Sequence, residues 1–217
     1  MRYLLLTLVL LTSVSFAYAY NPIPAEPTEA YSLIEIEGDP YVERSYLGDL
    51  EDAPDMYELK TDVAITLKMQ VMQRSNKKAQ PFGLIIVRQN DIDGGVAEIV
   101  RQNEPLEKWT KERSQMLGMR FLTAPVLEKE ITPGTYHIEV STPDNKGSYM
   151  LLVGEEPVSS GYFKALAQIF KTQHHFGFTP FHLIFSSYIY LTLVIIGIGY
   201  GSYRLKRYRK EKYDQLT

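Results

Sequence analysis

Across residues 63–71 every second position is apolar: Val63, Ile65, Leu67, Met69 and Val71 share one face, with Ala64, Thr66, Lys68 and Gln70 opposite. That period of two predicts a strand buried on one side. Residues 33–36, 46–47 and 56–59 carry shorter signals of the same kind. Residues 82–87 are apolar without alternation, which predicts a central strand covered on both faces. Tyr136, Ile138 and Val140 share a face after Pro133-Gly134, and Tyr149, Leu151 and Val153 share one after the turn at 143–147. These two strands are expected to pair antiparallel. One stretch departs from the rhythm. Leu106, Trp109, Arg113 and Met116 recur at helical spacing behind a capping Asn103, so residues 104–117 predict a short inserted helix with Trp109 as its core anchor.

Further on the period becomes helical. Phe163, Leu166, Ala167 and Phe170 form one stripe after Ser160, which predicts an amphipathic helix over 160–177. Its Phe163, Leu166 and Phe170, with Phe176, are expected in the membrane interface, because apolar side chains of this size are costly to leave in water. Residues 181–203, FHLIFSSYIYLTLVIIGIGYGSY, carry no formal charge. As a helix they measure about 34 Å, against a hydrocarbon core of about 30 Å, so they predict one transmembrane helix. Gly197 and Gly201 have the small-residue spacing that lets two such helices approach, and so mark a homo-oligomer contact. Arg204, Lys206, Arg207, Arg209, Lys210 and Lys212 crowd the tail, 204–217, which predicts a cytoplasmic C-terminus. At the other end, Arg2, an apolar run and Ala17-Tyr18-Ala19 predict a signal peptide over 1–19. Pro22, Pro24 and Pro27 make 20–30 an extended leader.

The predicted layout is therefore a mainly β protein: a jelly-roll-like, extracytoplasmic β-sandwich over 31–156 with one short inserted helix, then a juxtamembrane helix and one transmembrane helix. That is a single-pass plasma-membrane protein of type I topology.

Charge sharpens this picture. Between the leader and the apolar segment, residues 20–180 carry 16 Lys and Arg against 24 Asp and Glu. Such an acidic domain argues against nucleic acid as a partner, since that affinity is built from cations on phosphates. The chain has no cysteine, which excludes disulfides, thiol nucleophiles and thiolate metal sites. No asparagine lies in a glycosylation acceptor, and together these features point to a prokaryotic surface. Asp49, Glu51, Asp52 and Asp55 crowd one turn, and clustered carboxylates are what calcium would want. They are the candidate metal ligands, and no other cofactor is indicated. The adjacent His174 and His175 point about 100° apart on a helix and do not suit one ion. Nucleophile-elbow, zincin, dinucleotide and P-loop motifs are missing from the soluble part, so no enzyme is expected.

The Pro133–Val140 and Gly147–Val153 stretches resemble the last two strands of the bacterial pre-peptidase C-terminal family. Gly48-Asp49-Leu50 followed by Asp55-Met56-Tyr57-Glu58-Leu59 is similar to that family's early aspartate and aromatic. The resemblance covers about residues 31–154 and implies an accessory β-sandwich, surface-attached and seldom catalytic. The expected function is a non-catalytic, membrane-anchored module that binds a protein or glycan through sandwich loops. Its alternative is an accessory subunit docking onto a larger membrane complex through the transmembrane and juxtamembrane helices.

Overall fold

A computed structural model describes residues 21–76, 78–90, 95–156 and 160–214, so the predicted signal peptide lies outside the described residues. The strands, in chain order, are β1 (Pro22–Pro24), β2 (Leu33–Glu35), β3 (Arg44–Glu51), β4 (Asp55–Thr61), β5 (Ile65–Arg74), β6 (Gly83–Gln89), β7 (Val96–Gln102), β8 (Thr110–Ser114), β9 (Met119–Thr123), β10 (Leu127–Ile131), β11 (Gly134–Ser141) and β12 (Lys146–Val153). A seven-stranded sheet runs β1-β3-β12-β5-β9-β8, with β10 alongside the first half of β5. A five-stranded sheet runs β2-β4-β11-β6-β7. Among the strands of the described residues, β1 on β3 and β2 on β4 pair parallel and the others antiparallel.

The alternation read from the sequence points into the space between the sheets. Leu67, Met69 and Val71 of β5 and Tyr149, Leu151 and Val153 of β12 meet Leu59 of β4, Leu84 and Ile86 of β6, and Ile138 and Val140 of β11. Val63 is exposed, because β5 begins only at Ile65. The opposite face of the seven-stranded sheet is apolar as well. Leu47, Met72, Met119, Phe121 and Met150 are covered by a docked helix, Tyr162–His175, through Ala165 and Ile169, and by Phe176 and Tyr188. The molecule is thus mainly β, with two sheets and a helical third layer.

Five expectations change. The inserted helix over 104–117 is replaced by a single 3-10 turn, Leu106–Lys108, and strand β8, which pairs with β9. Trp109 is buried as expected, but it is held in a turn by its indole N–H donating to Glu104 O at 3.0 Å. Pairing to β9 outweighs a helical spacing carried by four residues. Strands β11 and β12 do not pair. The turn at 142–147, with Asn145 and Gly147 at positive φ, carries the chain from one sheet to the other, and the two apolar faces meet across the core. The leader is not free. Pro22–Pro24 adds β1 as an edge strand, a position that tolerates residues without N–H, and Ala25 N donates to Leu47 O at 2.7 Å. Strand β6 is central in its sheet, yet Ile85 and Val87 on its outer face stay only half-buried. The fifth change concerns the segment at 181–203. It divides into a 3-10 helix, Pro180–Phe185, and a long helix, Ser187–Asp214. Among the described residues no helix is long and apolar enough to cross a membrane. The apolar part of the long helix loses the first six residues of the predicted span and is diluted by Tyr, Thr, Ser and Gly.

Candidate functional site

The docked helix, the leader and the β3–β4 turn enclose a cleft of about 590 Å³. Leu47, Asp49 and Glu51 lie on the helix-facing side of β3 and form one wall. Glu26 and Glu29 of the leader, with Tyr31 just after it, form a second, and Lys171, His174 and His175 near the C-terminal end of the docked helix form the third. The cleft is acidic. Gln168 Nε2 donates to Asn21 Oδ1 at 3.0 Å and Lys171 Nζ to Pro22 O at 3.2 Å, so the helix fastens the leader in place.

The four candidate metal ligands do not converge. Asp49 Oδ2 lies 3.5 Å from His175 Nδ1, and Glu51 is exposed on the rim. Asp52 sits at the turn with φ 61° and pairs with Lys146 Nζ at 3.0 Å. Asp55, only 3% exposed, points into the sandwich. Alternation along β3 and the reversal of direction after the turn send the carboxylates apart. Among the described residues no three His, Asp or Glu are grouped to hold a metal ion. His174 stacks on Phe170 while His175 Nε2 meets Tyr149 O at 3.2 Å, so the adjacent histidines diverge as their helical spacing requires.

Beneath the cleft lies a buried polar chain that sequence reasoning missed. Tyr149 Oη donates to Asp55 Oδ2 at 2.6 Å, and Tyr57 Oη lies 2.6 Å from Tyr149 Oη. Burial pushes the Asp55 carboxyl above the usual carboxylate range; the Tyr149 hydroxyl opposes this, and the charges of Asp49 and Glu51 add to it. Burial likewise raises both tyrosines, so their hydroxyls stay protonated as donors. Gly48 stands opposite Tyr149 in the register, and any Cβ there would run into the Tyr149 ring. The one available signal was a Gly at an apolar-alternating strand position, which marks a close approach.

The predicted interfacial residues separate. Phe176 is buried against Phe121, rings 5.5 Å apart, and Leu166 packs on the helix-facing core. Phe163 is 83% exposed and Phe170 lies at the surface. The linker into the long helix is clamped to the sheet. Gln173 Nε2 donates to Leu117 O at 2.7 Å, Arg74 to Phe176 O at 3.0 Å, and Ser187 N to Gln115 O at 2.9 Å. Gly118, at φ +66°, admits the Phe185 backbone where a side chain would strike it. Gly197 and Gly201 have no atom near the position of a Cβ. Arg204, Lys206 and Arg207 are exposed on the long helix, which also contains Arg209, Lys210 and Lys212.

No protein-family model matches the chain, and no curated protein matches it. Among solved structures it is similar to the β-glucosidase of Paenibacillus barengoltzii, at 13% identity and TM-score 0.26, covering 63% of this chain and 13% of that one. It is similar to the Yersinia pseudotuberculosis-derived mitogen at 13% identity and TM-score 0.34, covering 54% and 95%. It is also similar to the pre-peptidase C-terminal domain of the Bacillus anthracis collagenase, at 16% identity and TM-score 0.35, covering 59% of this chain and 96% of that domain. That domain is of the kind the C-terminal strands resemble.

Proposed function

We propose that this chain is a non-catalytic, membrane-anchored binding or assembly module whose sandwich stands outside the cytoplasm. The observation that carries the reading is the long helix. Beyond Thr192, Leu193, Val194, Ile196, Ile198 and Tyr200 are exposed on all sides. A helix apolar all round is covered by lipid or by protein. Its uncharged part, 187–203, is about 26 Å long, and Phe181, Ile184 and Phe185 of the preceding turn extend the apolar surface. Arg204, Lys206 and Arg207 follow, placed to reach lipid headgroups by snorkelling. The cleft is the recognition site for a protein or glycan. Its polar groups are engaged in holding the fold: Asp55 receives Tyr149, Asp49 faces His175 and Lys171 ties down the leader. That engagement favours recognition over bond-making.

Fractionation of cells expressing the full chain with a tail epitope tests the anchor. The chain is expected to stay in the membrane pellet after an alkaline carbonate wash, and protease added outside is expected to remove the sandwich and spare the epitope. Release by carbonate would overturn the reading.

A further inference from the structure

The end of the domain from which the long helix emerges is not a bare stalk. Tyr162 Oη donates to Thr192 Oγ1 at 2.8 Å, and the Tyr162 ring packs 5.8 Å from that of Tyr188. The start of the docked helix therefore stands level with the second turn of the long helix. Phe163 follows directly and is 83% exposed. On the other approach to the same point, Phe181 is 83% and Phe185 55% exposed. Large apolar side chains thus flank the emerging helix on two elements, and both elements are fastened to the sheet by the linker bonds described above.

A groove of about 400 Å³ opens beside them, lined by Arg113, Gln115, Ile184, Phe185, Ser187 and Tyr190. Arg113 of β8 lies directly opposite Arg120 of β9 in the register, and both are exposed. Like charges facing across a strand pair repel. Among the described residues neither guanidinium has an ion-pair partner. Arg113 beside Phe185 in the groove, with Arg120 opposite it on the strand pair, at the base of an apolar helix, matches the order of layers in a bilayer: phosphate outside, acyl boundary within.

We infer that this end of the domain is a bilayer-binding surface, with Phe163, Phe181 and Phe185 at the headgroup–acyl boundary and Arg113 and Arg120 on the phosphates of anionic lipid. The inference rests on the membrane-anchored reading and adds that the sandwich is held against the bilayer in one pose. Phe176 and Leu166 take no part, since they face the protein core.

The chain has no cysteine, so single cysteines report position cleanly. Full-length Phe163→Cys, Phe181→Cys, Leu193→Cys and Lys60→Cys variants, all at exposed positions, are labelled with bimane. They are then reconstituted in nanodiscs of phosphatidylcholine with phosphatidylglycerol containing a nitroxide lipid. The labels at 163 and 181 are expected to lose roughly half or more of their emission, as groups seated about 5–10 Å into the boundary would. The label at 193 is expected to be quenched and that at 60 to stay bright. Adding Arg113→Gln and Arg120→Gln is expected to restore emission at 163 and 181 while leaving 193 quenched, as is replacing phosphatidylglycerol by phosphatidylcholine. If 193 is quenched but 163 and 181 behave like 60, the surface is overturned and the anchor stands. If 193 stays bright, both fall. If the arginine variants leave quenching unchanged, the assignment of phosphate to Arg113 and Arg120 is overturned.

Discussion

The two faces of the seven-stranded sheet are both buried, but by different means. Its sandwich face meets a second sheet through regularly alternating aliphatic residues and a tyrosine cluster, with Tyr46 edge-on to Tyr57 at 5.4 Å and Phe82 tilted against Tyr149 at 5.3 Å. Its helix face uses Met72, Met119 and Met150 around Phe121. Methionine is unbranched and adapts to the irregular gaps left when a helix lies on a twisted sheet. The sandwich face also carries the Tyr57–Tyr149–Asp55 hydrogen bonds, which must all be made or left costly. One face is therefore specific in its geometry, and the other is a compliant seat for a helix that leads from the domain into the long helix.

Substitutions on each face separate these roles. The largest effect is expected on the sandwich face. Tyr149→Ala opens a cavity at the centre of the core and strips Asp55 of the hydroxyl that donates to it, at a cost of about 3–5 kcal/mol. Denaturant titration of the full chain in detergent, followed by far-ultraviolet circular dichroism, reads it; a loss below 1 kcal/mol would show that the polar chain does not organise the core. A smaller loss is expected at Ile169→Ala on the helix face, about 2–4 kcal/mol, confined to the helix and linker because methionines can close part of the gap. Hydrogen exchange is expected to rise over residues 162–188 while β4, β6 and β11 keep their protection. Equal loosening of both sheets would remove the distinction between the faces.

The smallest effect concerns pH. Burial raises the Asp55 pKa in the folded state, so the folded chain holds this proton more tightly than the unfolded one. Its contribution is present in full below the ordinary carboxylate range and is lost as pH rises through the raised value. Asp55→Asn removes that dependence. Measured against pH, wild-type stability minus that of the variant is expected to fall across the window above the ordinary value and then level off. A flat difference would mean that Asp55 ionises in the fold as it does in the unfolded chain.

Much of this could be read from residue order alone. Alternation named the inward residues of β5, β11 and β12, because a strand with one apolar face has one stable way to bury it. The helix over 162–175 and the uncharged stretch before the basic tail were equally plain, but the face that docks, with Ala165, Ile169 and Thr172, is not the stripe of Phe163, Leu166, Ala167 and Phe170 that the spacing picks out. What alternation cannot say is which strand lies next door. The turn at 142–147 suits a hairpin, yet it joins two sheets, since placing Tyr136, Ile138 and Val140 against Tyr149, Leu151 and Val153 buries both faces at once. Nor could local spacing reveal that 110–114 gains more from pairing with β9 than from a helical turn, or that Phe176 turns inward while Phe163 stays out. The acidic cleft joins residues far apart in the chain, Glu26 to His175, and its carboxylates crowd in sequence but part in space. Local order sets which face of each element is apolar. Long-range burial, whose free energy depends on what is on the other side, decides where that face goes.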